Sequence, residues 1–119
     1  AGVTEARAKE ENIDYISGYF EGVNRHPATI PDASKLSVKL IAMRESGRII
    51  GGQVVGSKEA GEIINIIGLA IESELTLYSL ISMQVATQPL LTSAPTTYPI
   101  IMAAQMALFS KSSELGVKI

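Results

Sequence analysis

A chain of 119 residues, 46% of them hydrophobic and only 18% charged, has enough apolar material for one self-standing core and too little charge to stay unfolded. Its formal net charge of −2 is spread along the sequence with no Lys/Arg cluster among aromatics, which excludes a phosphate-backbone surface, and the lack of cysteine excludes a disulfide, a thiolate nucleophile and a sulfur-ligated metal. The most apolar stretches, Ile63 to Ile71 and Ile100 to Leu108, are much shorter than the roughly 20 residues that cross a bilayer.

No signal peptide is visible, and the opening Ala1-Gly2-Val3-Thr4-Glu5, without an initiator methionine, reads as the start of an excised piece of a longer protein. The expectation is one domain over residues 1–119, with no nucleic-acid or membrane partner and a reducing, cytoplasmic setting.

Thr4 can accept from free backbone N–H groups as a helix N-cap, and Glu5 to Glu11 is a run of good helix formers, predicting a short exposed helix. From Ile13 to Val23 apolar and polar residues roughly alternate, predicting a strand in which Gly18 breaks the period and marks a bulge. Asn24 to Ser34 reads as a loop because Asn24, Pro27, Pro31 and Asp32 fix φ, remove donors or bond locally to the backbone. Leu36, Val38, Leu40 and Ala42 alternate with Ser37, Lys39 and Ile41 in a half-buried strand. Glu45-Ser46-Gly47-Arg48 then turns, with Gly47 at positive φ, and Ile49 to Val55 completes a β-hairpin.

Over Glu59 to Glu74 the spacing becomes helical, and Ile63, Ile64, Ile66, Ile67, Leu69, Ala70 and Ile71 leave only a narrow polar stripe of Glu62, Asn65 and Glu72. Such a helix must be covered on more than one side. Thr76 caps a short helix through Leu77 to Ile81, and Thr87 to Pro99, with three prolines, reads as ordered loop. Pro99 opens a last helix, Ile100 to Phe109, in which Gln105 is the only polar side chain. This order fits an α+β domain, an antiparallel β-sheet with helices packed on one face.

Gly51-Gly52-Gln53-Val54-Val55-Gly56-Ser57-Lys58 lies between a strand and a helix, where a phosphate-binding loop would belong. That loop needs Lys directly after its last glycine and then a hydroxyl for magnesium; here Ser57 displaces Lys58 and Glu59 stands where the hydroxyl is wanted. The glycines read better as points of close strand and helix approach. His26, the only histidine, precedes Pro27 with no carboxylate at helical ligand spacing, so a solvent-facing or capping role is expected. The pairs Glu10/Glu11 and Glu72/Glu74 read as solvated helix surface rather than a general acid and base.

Met83, Met102 and Met106 lie among apolar residues, where thioethers serve both cores and subunit contacts. Two almost wholly apolar helices and an apolar proline-rich loop exceed what one sheet can cover, and an exposed patch of that size implies a partner. The leading expectation is a symmetric homodimer through Thr87, Gln88, Pro89, Leu90, Leu91, Tyr98, Ile101, Met102, Gln105, Met106 and Phe109, helped by the outer face of the long helix. The rival is a small-ligand or nucleotide-binding domain using Gly51 to Lys58.

Several segments, in order, carry a resemblance to a known family: Val3-Thr4-Glu5-Ala6 with the charged helix; Lys39-Leu40-Ile41; Gly47-Arg48-Ile49-Ile50-Gly51-Gly52-Gln53-Val54-Val55-Gly56; Ala60 to Glu74 followed by Leu75-Thr76-Leu77; and Thr87-Gln88-Pro89-Leu90-Leu91-Thr92. Together they resemble the C-terminal dimerisation domain of the pyridine nucleotide-disulfide oxidoreductases, of the NADH oxidase and coenzyme A disulfide reductase type. The resemblance implies no cofactor in this chain, which on its own is then no enzyme, and FAD and NAD(P)H in the flavin and nicotinamide domains of a longer parent. It also implies a two-fold mate whose flavin lies near the Pro89 region.

In the family's disulfide reductases the position matching Gln88 is a histidine, oriented by a glutamate five residues later, where this chain has Ser93. An amide exchanges no proton near neutral pH, so that proton shuttle does not carry over. The departure implies a parent of the NADH oxidase or coenzyme A disulfide reductase type rather than a glutathione- or lipoamide-type reductase; a disulfide reductase with a replacement base is the further alternative. Tyr98 is the candidate hydroxyl toward a partner's active site.

Overall fold

The computed structural model describes residues 1–23, 35–56, 60–84 and 98–114. The Thr4 hydroxyl accepts from the Arg7 amide at 3.1 Å and starts α1 (Glu5–Glu10). The helix stops where Asn12 takes φ 56, and the Ile13 amide reaches back to the Ala8 carbonyl at 2.9 Å.

Three strands, β1 (Tyr15–Val23), β2 (Lys35–Met43) and β3 (Ile49–Val55), form an antiparallel sheet in the order β1-β2-β3. β1 pairs with β2 from Tyr15 opposite Met43 to Val23 opposite Lys35, and the turn into β3 contains Gly47 at φ 76. The expected bulge at Gly18 is not there, since Gly18 pairs in register with Leu40. The register instead shifts between Ile41, which faces Gly51, and Ala42, which faces Ile49, leaving Ile50 as the extra residue. Its carbonyl accepts from the Val3 amide at 3.0 Å, while Ala1 and Gly52 exchange backbone hydrogen bonds of 2.8 and 3.0 Å. Residues 1–3 thus extend the sheet past β3.

Helices α2 (Ala60–Glu72), α3 (Leu77–Ile81) and α4 (Pro99–Glu114) follow. α2 lies on β3, and α4 lies across β1 and β2 and against α3. The core forms where Ile16, Leu36, Val38, Leu40 and Ala42, alternating along their strands, meet Ile63, Ile67 and Ala70 of α2 and the inner face of α4. Each large side chain fully buried there contributes about 1.5–3 kcal/mol.

Alternation fails at Ile41, expected on the half-exposed side yet fully buried, as is Ala8 of α1; neither belongs to the main core. Glu5 of α1 pairs with Lys39 at 3.5 Å and is hydrogen-bonded by Ser17, which places α1 on the sheet face opposite the long helices. A second, smaller layer therefore covers that end of the sheet.

α2 departs from expectation in the other sense. Only Ile63, Ile67 and Ala70 are buried, and Leu69 is 62% exposed, so within this chain the helix is covered on one side. It ends where Glu74 takes φ 56 and the Leu75 amide bonds to the Ala70 carbonyl at 2.9 Å. Thr76 caps α3 through a reciprocal box with Ser79. α4 runs to Glu114, beyond the expected end at Phe109. The expected loops Asn24 to Ser34 and Thr87 to Thr97 lie outside the described residues.

Candidate interaction surface

The inner face of α4 carries Ile100, Ala103, Ala104 and Ala107, all fully buried, at the i, i+3, i+4, i+7 spacing of one helical stripe. Three of the four are alanine, which brings the helix backbone close to the sheet at Gly18. A Cβ on Gly18 would collide with the Ala103 carbonyl oxygen and the Ala107 nitrogen, so this strand position needs glycine. Bringing the backbones together there fixes which side of α4 faces outward.

On that outer side Met106 is 40% and Phe109 51% exposed, Gln105 is exposed, and Ile101 and Met102 are half-buried. With Ile81 of α3, Leu108 and Ser112, the residues Gln105, Met106 and Phe109 line an open groove of about 310 Å³. Ile81, Ile101 and Leu108 also pack on the core, whereas Met106 and Phe109 project past it. The groove is thus an apolar floor fixed by the core, with a methionine and an aromatic ring at its edge.

Tyr98 has a different position from the one its sequence context suggested. It is only 4% exposed, and its hydroxyl donates to Glu62 Oε1, in the first turn of α2, at 2.7 Å. Burial, and then the bond to and charge of that carboxylate, push its phenol well above the usual range. Its carbonyl accepts from the Ile101 and Met102 amides at 3.0 and 3.1 Å, so Tyr98 both caps α4 and ties it to α2. Within the chain the hydroxyl is engaged by Glu62. No spacing rule pointed to Glu62 as its acceptor, because the two are 36 positions apart.

Gly51 and Gly52 lie within β3, not in a loop. A Cβ on Gly51 would overlap the Val3 backbone, one on Gly52 would come within 2.8 Å of Ile67 Cγ2, and the Gly52 amide is spent on the Ala1 carbonyl. These glycines admit the N-terminal segment and α2 and form no phosphate cradle; Ser57, Lys58 and Glu59 lie outside the described residues.

The acidic pairs are surface: Glu11 meets Arg7 at 3.2 Å and Glu74 meets Arg48 at 3.8 Å, all exposed. Among the described residues no three His, Asp or Glu side chains gather as a metal site, and no helix is long and apolar enough to cross a membrane. His26, Thr87, Gln88, Pro89, Leu90, Leu91 and Ser93 lie outside the described residues.

Against known proteins, the family described as "Pyridine nucleotide-disulphide oxidoreductase, dimerisation domain" matches residues 1–99. A dihydrolipoyl dehydrogenase of Buchnera aphidicola is 42% identical over 71 residues, 60% of this chain and 15% of that protein. An NAD-dependent persulfide reductase from A. fulgidus superposes with a TM-score of 0.83 at 31% identity, over 95% of this chain and 20% of the other. A water-forming NADH oxidase from Lactobacillus brevis shares the fold, with a TM-score of 0.84 at 22% identity over 96% of this chain and 25% of that one. The chain thus spans about a sixth to a quarter of the length of the proteins it matches.

Proposed function

The chain belongs to the dimerisation-domain family of the flavin-dependent pyridine nucleotide-disulphide oxidoreductases, and from that premise we propose that it pairs with a second copy of itself through the outer stripe of α4. The observation that carries this reading is the Ile81 groove with Met106 and Phe109 at its edge. A helix whose inner stripe is already seated, and whose Ile101 also packs on the core, leaves Met106 and Phe109 exposed on its outer side. A two-fold mate presenting the same pair would cover them, since an isologous contact is complementary to itself.

In this reading the segment Thr87 to Leu91, which precedes α4, lies beside the mate and toward its flavin. FAD and NAD(P)H are held by the rest of a longer parent. The parent is an NAD(P)H-dependent flavin oxidoreductase. Gln88 and Ser93 in place of the His and Glu of the dithiol reductases favour the NADH oxidase or coenzyme A disulfide reductase type, although the curated relative named above is a dihydrolipoyl dehydrogenase.

Light scattering on a sizing column tests the pairing. The wild-type chain is expected at twice the monomer mass at micromolar concentration, and Phe109→Glu, which places a charge in the contact, at the monomer mass with an unchanged circular dichroism spectrum. A wild-type chain that stays monomeric across that range overturns the proposal.

A further inference from the structure

We propose that the Met106 thioether makes this contact sensitive to oxidation: once oxidised in the free chain, Met106 blocks pairing, so peroxide holds the protein as a monomer. The inference rests on the reading of the α4 stripe as a self-association surface. It starts from the sulfur chemistry, because with no cysteine in the chain its reactive sulfurs are the four thioethers of Met43, Met83, Met102 and Met106. Three of these are partly buried, and Met83 packs against the core. Met106 is 40% exposed and lines the open groove beside Leu108 and Phe109. The most exposed methionine is thus on the face proposed to meet the second copy.

The step is a two-electron oxygen transfer from a peroxide. The O–O bond breaks, an S–O bond forms at Met106 Sδ, sulfur is oxidised to the sulfoxide and hydrogen peroxide is reduced to water. The product places a strong acceptor oxygen among Ile81, Leu108 and Phe109, where the groove offers only the Gln105 amide and the Ser112 hydroxyl at its polar edges. A mate closing over that oxygen would strip its water and leave at most those two donors to replace it, which disfavours the pair. In the paired state the same cover shields the sulfur. Oxidation therefore acts on the dissociated chain and traps it.

The test treats the chain with graded hydrogen peroxide, locates the 16 Da additions by peptide mass spectrometry, and measures self-association by sedimentation velocity. Untreated protein is expected as a dimer; protein oxidised at Met106 should show a dissociation constant raised roughly tenfold or more, reversed by methionine sulfoxide reductase. Met106→Leu, which keeps volume and apolarity, should pair normally and keep pairing after the same treatment. An untreated chain that is monomeric overturns the reading of the stripe as an interface. An untreated dimer that persists with Met106 fully oxidised, or a Met106→Leu dimer as sensitive as wild type, overturns this inference and leaves that reading standing.

Discussion

Gly18→Ala is the sharpest probe of how the sheet seats α4. The added Cβ would fall inside the van der Waals envelopes of the Ala103 carbonyl oxygen and the Ala107 nitrogen, and 2.9 Å from Ala107 Cα. Carbon atoms settle at about 3.5–4.0 Å, so α4 would have to retreat by at least about 0.6 Å. The obstacle is helix backbone, which no rotamer change can move, and the same displacement loosens Ile100, Ala103, Ala104 and Ala107 together. Overpacking of this kind costs typically 1–3 kcal/mol; with a backbone obstacle we expect the upper end, about 3 kcal/mol. For a domain of this size that lowers the melting temperature by roughly 12 °C. Urea denaturation and a thermal melt measure it. Gly61→Ala and Gly68→Ala in α2, where a Cβ meets nothing within 4 Å, are the controls, and should stabilise by about 0.5–1 kcal/mol each through helix propensity. If Gly18→Ala melts within about 2 °C of wild type, the close seating of α4 on β1 is wrong.

Three further outcomes follow from single residues. Glu74→Gly relieves a left-handed backbone at φ 56 and gives up only an exposed ion pair with Arg48, so chemical denaturation should show a gain of about 0.5–1 kcal/mol. Tyr98→Phe keeps the buried ring but removes the bond to the exposed Glu62, which should cost about 1 kcal/mol at neutral pH. Because the phenol is raised in the folded state, the unfolded chain loses this proton first, and wild-type stability should fall as the pH climbs above about 10; Tyr98→Phe should lack that component of the fall. At the other extreme the Ser17 hydroxyl bond, and then Lys39, hold the Glu5 carboxyl below its usual value, so its contribution is present above the unfolded value and lost as pH falls through the folded one. A Glu5→Gln chain should lose less stability than wild type in an acid titration below about pH 4.

Local chemistry made most elements legible. The Thr4 and Thr76 hydroxyls, the Gly47 turn and Pro99 at the head of α4 each satisfy or replace a specific backbone group, and such signals operate within a few residues. The errors occurred where a residue answers to something distant. Gly18 looked like an interruption because its reason, the backbone of α4, is more than eighty residues away. Ile41 broke a polar row because α1 returns over that face. Glu74 in a left-handed turn carries no compositional signal, whereas Asn12 in the same conformation does. The burial of Tyr98 has no local signal, because an Xaa-Pro before an apolar helix says nothing of where the ring goes.

The two long helices separate what sequence hydrophobicity can and cannot say about an interface. Both read as apolar nearly all round, and by that measure both had a claim on a partner. In the structure its polar and apolar outer residues are mixed, with Leu69 exposed near Asn65 and Glu72, and a scattered apolar residue on a solvated face needs no partner. α4 instead sets the exposed Met106 and Phe109 one turn apart beside Ile81 and Leu108, so that they share one concave groove. The groove comes from the neighbouring α3 and from the azimuth that Gly18 and the Tyr98–Glu62 bond impose, not from the composition of α4. It follows that a substitution which rotates α4 without touching its outer row should weaken self-association as surely as one within that row. Tyr98→Phe combined with Gly18→Ala is that perturbation. A double variant that still folds and pairs with wild-type affinity would show that the outer row does not depend on how the helix is seated.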